Sequence, residues 1–169
     1  MGARALILAA SLLMCVSLFA QENEKKETYT YSNITEFGYA AASFKGVLLE
    51  ATTVNGVAID KQHLFGLGVG FGTNVFHTSF ENVFVYMPIF LNYRFYFKPE
   101  KTFSPHVNVS LGGIAMEEGR GLYSSVTMGF KAGIFSFSSG LSFTPIYYKE
   151  KTKKDVSLFG ITLKCGFSF

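Results

Sequence analysis

The chain has 169 residues, 49% of them apolar, with 19 Phe, 9 Tyr, 17 Gly, 4 Pro and no Trp. That length suits one domain. Its net charge is only +3 and its basic residues are scattered apart from those between Lys149 and Lys154, which excludes nucleic acid as a partner.

The first 20 residues read as a signal peptide. Arg4 supplies a positive start, Ala5 to Phe19 is an apolar run, and Leu18-Phe19-Ala20 forms a cleavage site before Gln21. The run is shorter than the roughly 20 residues a helical span needs. Removing Arg4 from 15 basic residues leaves 14 against 12 acidic ones, a net of +2. Cys15 leaves with the signal, and the remaining Cys165 has no partner for an internal disulfide. Residues 21–28 form a polar leader, and 29–169 form the folded domain.

From Tyr29 onward the residues alternate with period two, the mark of strands. Between turn signals lie eight segments: 31–44, 47–59, 63–74, 83–97, 103–115, 121–132, 134–148 and 156–169. The alternation in 47–59 is poor, and Asn55-Gly56 inside it has the chemistry of a turn. In 63–74, Phe65, Leu67, Val69 and Phe71 oppose Gly66, Gly68, Gly70 and Gly72. In 103–115, Phe103, Pro105, Val107, Val109 and Leu111 oppose Ser104, His106, Asn108 and Ser110. The last segment sets Phe159, Ile161, Leu163, Cys165, Phe167 and Phe169 against Gly160, Thr162, Lys164, Gly166 and Ser168. Most segments reach the 9–11 residues with which a tilted strand crosses a bilayer, and no helical span follows residue 20. A secreted, aromatic, Gly-rich chain of this kind enters a membrane by closing its sheet on itself, so that every backbone group is paired.

The expected fold is all-β, an eight-stranded antiparallel up-and-down transmembrane barrel. The polar stripe is mostly Gly, Ser and Thr with isolated charges. A solvated face would carry many Lys and Glu, whereas small residues suit the narrow interior of eight strands. By parity, Glu36, Glu50, Asn92, Arg94, His106, Asn108, Tyr123, Lys131 and Lys164 point inward. Buried charge requires pairing, so the glutamates are expected to face Arg94 and the lysines, unless some lie at a rim in water. Tyr96, Phe97, Tyr147, Tyr148, Phe167 and Phe169 fit aromatic girdles at the strand ends.

These residues resemble the small outer-membrane β-barrel domain family of the OmpA/OmpX type. The likeness runs through Gly66 to Gly72, Met87 to Phe97, Ser104 to Gly113 and Gly166 to Phe169. It implies an integral protein of a Gram-negative outer membrane, in contact with its lipid and lipopolysaccharide, with both termini in the periplasm. Terminal Phe169, with Phe167 two residues before it, is similar to the signal read by the barrel assembly machinery during biogenesis. Lys164 stands where that signal usually has Gly. The family hosts scaffolds, adhesins and enzymes, so it implies no particular activity.

Other motifs carry little chemistry. The Gly66 to Gly72 run lacks the Lys-Ser/Thr and the helix of a nucleotide loop. His63, His77 and His106 show no metal spacing. No cofactor, metal or catalytic residue is assigned. His77, Ser79 and Glu81 alternate and would share a face if extended. A lipid A deacylase family has a similar His-x-Ser late in its barrel, whereas this one comes early. The charged loop from Lys149 to Asp155 reads as a solvated tip whose lysines can meet anionic sugars and phosphates. The expected role is therefore structural or interaction-related, with a lumen filled by a polar network rather than a wide pore. A lipid A hydrolase using His77, Ser79 and Glu81, or a soluble lipocalin-like carrier, are the alternatives.

Overall fold

A computed structural model describes residues 28–42, 46–75, 84–117, 119–148 and 156–169. The expected signal segment, the leader through Glu27, the His77/Ser79/Glu81 constellation and the 149–155 loop lie outside the described residues.

The chain forms eight strands: β1 (Tyr29–Ala42), β2 (Gly46–Ile59), β3 (His63–Val75), β4 (Phe84–Tyr96), β5 (Phe103–Met116), β6 (Gly119–Ala132), β7 (Phe135–Tyr148) and β8 (Val156–Ser168). Each pairs antiparallel with its neighbours, and β8 closes on β1. With an even count, Tyr29 and Phe169 lie at the same end, called here the lower end.

Asn55-Gly56 is not a turn. It runs straight through β2, with Gly56 opposite Ser32 on one side and Gly66 on the other. A Cβ on Gly56 would sit 2.2 Å from the Phe65 carbonyl oxygen, so this glycine serves close strand approach. The β2–β3 turn comes later. Asp60 and Lys61 both have positive φ (52° and 57°), and the Gln62 N–H donates to Ile59 O at 3.0 Å. These are the features of a type I′ turn. Gly133, at φ 62°, makes the tight β6–β7 link with Ile134.

The lower rim is tied together. The N–H groups of Asp60, Tyr96, Gly133 and Ser168 donate to the carbonyls of Thr28, Gln62, Thr102 and Ile134 at 2.7–2.9 Å.

Register fixes the barrel's shape. Stepping from Tyr29 through its successive cross-strand partners passes Ile59, His63, Phe95, Val107, Met128, Ser139 and Leu163. The path returns to β1 at Tyr39, ten residues further up. With eight strands, that stagger sets a strand tilt of about 41° and a radius of about 8 Å. An interior that narrow is filled by side chains.

The two stripes face as far apart as a sheet allows. Leu91 (69% exposed), Phe71 (68%) and Met128 (67%) are among many large apolar side chains on the outside. Inside lie Glu36, Arg94, His106, Asn108 and Lys164, together with a row of serines and threonines. A smaller set of apolar side chains, including Ile34, Leu64, Phe90 and Ile146, packs among them.

Candidate functional site: the barrel interior

The interior is built in layers. Low on β4, Arg94 is fully buried and its Nη2 donates to Glu36 Oε1 at 2.7 Å. The pair spans the barrel from β4 to β1. Higher up, Lys164 Nζ lies 2.8 Å from Glu50 Oε1. Tyr123 completes a triangle. Its hydroxyl donates to Glu50 Oε1 at 3.0 Å and accepts from Lys164 Nζ at 2.9 Å. Between the two ion pairs, Asn92 donates to Asn108 Oδ1 (2.6 Å) and Ser110 Oγ (3.0 Å), and Asn108 donates to Thr127 Oγ1 (3.3 Å).

Each buried carboxylate thus meets a cation and at least one further hydrogen bond or polar neighbour. That arrangement is what makes charge tolerable in a medium of low dielectric. Lys131 is different. Its Nζ sits 5.9 Å from the Tyr96 ring centre, and it lines a depression of about 180 Å³ at the lower mouth with Lys61, Ser104, Leu64 and Phe169. Parity alone placed it with the paired charges; its height places it at the rim. His106 is buried beside Tyr96, ring centres 5.5 Å apart, and takes no part in either ion pair. Both its ring nitrogens, together with Ser104, Ser136 and Ser138 Oγ, have no hydrogen-bond partner among the described residues. Buried groups of this kind are usually bridged by ordered water.

Glycines make room for the larger interior side chains. A Cβ on Gly68 would lie 2.3 Å from Phe90 Cζ, and one on Gly72 would lie 2.2 Å from Tyr86 Cζ. The alternating Gly run of β3 is therefore the seat for two β4 aromatics, and it lies entirely within a strand. Tyr86 and Phe90 share parity with Asn92 and Arg94, so the signal for them was in the sequence. Their significance lies in the glycines opposite them. Phe90 in turn packs against Tyr123, ring centres 4.7 Å apart. In the upper half, a cavity of about 10 Å³ beside Glu50, Lys164 and Tyr123 has the room of roughly one water.

The lower outer wall carries an aromatic belt. Phe65 packs against Tyr93, Phe103 against Phe130, Phe130 against Phe137, and Phe135 against Phe167. Phe169 ends the chain in the open, and its backbone exchanges two hydrogen bonds with Asn33.

A closed sheet of eight antiparallel strands, with large apolar side chains outside and charged and hydroxyl side chains inside, is a fold shared with small outer-membrane barrels of known structure. The N-terminal β-barrel domain of OprF from Pseudomonas aeruginosa is similar over 84% of this chain and 100% of its own, with a TM-score of 0.50 and 13% identity. Neisserial surface protein A is similar over 85% of this chain and 98% of its own, with a TM-score of 0.51 and 12% identity. No protein-family model matches the chain, and no curated protein matches it in sequence. The likeness is one of fold.

Proposed function

We propose that the chain is an integral protein of a Gram-negative outer membrane with a structural or interaction role, its lumen closed by a polar network rather than open as a wide pore. One observation carries this reading: on every strand the closed sheet turns large apolar side chains outward, Phe37, Leu49, Leu67, Leu91, Leu111, Val126, Leu141 and Ile161 among them. A water-soluble carrier needs the opposite arrangement, an apolar interior around a ligand and a charged exterior. The fold likeness to OprF's barrel and to Neisserial surface protein A supports the same reading. Its surroundings are then acyl chains and lipopolysaccharide. Phe167, half-buried on β8, and Phe169, exposed beyond it, are the residues the assembly machinery would engage by strand addition. Among the described residues the interior carboxylates Glu36 and Glu50 are held by cations, which supports a structural role for them.

Membrane fractionation with gel analysis of unboiled and boiled samples tests the proposal. The expected result is retention in the outer-membrane fraction until detergent is added, with faster migration of the unboiled form. Recovery in a detergent-free periplasmic extract would refute it. The hydrolase alternative has its own test: Ser79→Ala with mass spectrometry of lipid A. An unchanged acylation pattern is expected.

A further inference from the structure

The depression at the lower mouth, about 180 Å³, draws its lining from seven of the eight strands. It therefore lies across the barrel axis and not on the outer wall. Its walls are inward-facing side chains. Thr30, Ala58 and Leu64 are successive cross-strand partners, and Ser104 faces Lys131 across the β5–β6 ladder. Lys61 enters from the β2–β3 turn. At roughly 30 Å³ per water, the space matches about six waters.

Two ammonium groups line the depression, and no acidic side chain among the described residues does. Lys61 reaches Glu100 at 3.4 Å, but both side chains are more than half exposed, so the pair leaves much of the positive field in place. Lys131 makes no ion pair among the described residues. The lower turns and the strand ends beside them carry Lys61, Lys98, Lys101 and Lys131 against Asp60 and Glu100, four cations to two acids, a net of +2. Asp60 Oδ1 is already taken by the Thr28 N–H. Ser104 is 1% exposed, and its Oγ has no hydrogen-bond partner among the described residues. Ser136, opposite Lys131 on β7, is partnerless too, and so is His106, the next inward residue above Ser104. Water bridges hydroxyls, but it brings no charge to answer an unpaired ammonium.

We propose that the lower mouth binds a phosphate group, held by Lys131 and Lys61 with Ser104 as a hydroxyl donor. A phosphomonoester carries about −1.5 to −2 charge at neutral pH and three strong acceptor oxygens. It can answer both ammoniums and still accept from a hydroxyl, whereas a carboxylate has one charge and two oxygens. Lysine meets phosphate in this way, as a point charge. Leu64, Tyr96 and Phe169 give the same depression an apolar side, which suits the carbon part of an ester. The phosphate can belong to a small solute or to a lipid headgroup. An opening along the axis favours a solute entering from water, since headgroups stand beside the outer wall. The membrane reading above assigns that opening to the periplasm, but the binding itself does not depend on it.

Phosphorus NMR titration of the full chain in phosphatidylcholine nanodiscs tests this, with inorganic phosphate and glycerol 3-phosphate as probes. Saturable binding is expected. Lys131→Met should weaken it about tenfold or more, and Ser104→Ala several-fold. Lys131→Arg should keep most of it. Lys98→Met, at an exposed turn residue outside the depression, should leave it unchanged. The heat-shifted gel band reports whether each variant is folded. In phosphatidylglycerol nanodiscs, a Lys131-dependent shift of the lipid phosphorus signal would assign the phosphate to a headgroup. Probe binding without that shift would assign it to a solute; either result supports the site. Binding that does not saturate, equal affinity in Lys131→Met, an equal loss in Lys98→Met, or displacement by chloride at concentrations equal to phosphate would overturn the inference while leaving the barrel reading standing. Release from the native membrane without detergent would overturn the membrane reading alone.

Discussion

Arg94→Ala is the sharpest test of how the interior is held. Arg94 and Glu36 are 0% and 4% exposed at their side chains and 2.7 Å apart. Removing the guanidinium leaves a carboxylate inside a barrel of about 8 Å radius, with no other cation hydrogen-bonded to it among the described residues. Breaking a buried pair in this one-sided way costs about 3–5 kcal/mol. At 1.4 kcal/mol per tenfold, that weakens the folding equilibrium by roughly two to three and a half orders of magnitude. Glu36→Gln on its own strands the cation and should cost a similar amount. The double variant Arg94→Ala/Glu36→Gln leaves no unpaired charge, and should recover most of the loss. Urea unfolding in lipid vesicles, read by tyrosine fluorescence and by the heat-shifted gel band, supplies all four corners of the cycle. A coupling free energy of about 2 kcal/mol or more is expected. Coupling below about 0.5 kcal/mol would refute the argument, because the pair would then be no more than two neighbours.

Three other outcomes follow from the geometry. Gly68→Val drives a side chain into Phe90 and should destabilise by about 1–3 kcal/mol; a compensating Phe90→Leu should restore part of this in the same urea assay. Lys61 holds a left-handed φ of 57° and among the described residues pairs only with exposed Glu100, at 3.4 Å, so Lys61→Gly should stabilise by about 1 kcal/mol. Val126, 60% exposed on β6, lies near the middle of the apolar band. Val126→Arg should therefore cost about 2–4 kcal/mol in lipid, and the same change at Ala132, beside the lower turn, about 0–1 kcal/mol.

Most of the architecture was legible because a strand writes its two faces into alternate residues. Phe103 to Leu111 and Phe159 to Phe169 name their outward apolar stripe directly, and the turns are marked by Asp60 and Gly133, which accept positive φ. Asn55-Gly56 was ambiguous for a physical reason. The dipeptide suits a tight turn, and only the backbone of Phe65 and Gly66 across the ladder shows why a glycine is wanted in mid-strand. The inward parity of Glu36, Glu50, Arg94 and Lys164 was also legible, but not who meets whom. Parity gives a direction, whereas meeting requires equal height, and height follows from the ten-residue stagger of the closed sheet. No local pattern carries that stagger. It separates Lys131 at the mouth from Lys164 inside, and it sets Glu36 beside a residue 58 positions away. An outward polar ladder, Asn33 with Asn55 and Thr35 with Thr53, was hidden in the same way. Asn33 and Thr35 share the parity of Phe37 and Tyr39, and only register brings Thr53 and Asn55 alongside them.

The closure between β8 and β1 rests on nine partnered positions, from Ile34 with Ser168 to Ala42 with Gly160, while β1 and β2 share fourteen. Every other ladder joins strands that are adjacent in the chain, but this one joins residues up to 134 apart. Bringing such distant partners together carries the largest loop-closure entropy in the molecule. The seam is therefore the last part of the cylinder to shut during folding. Once shut, it is the natural place for the wall to part under load.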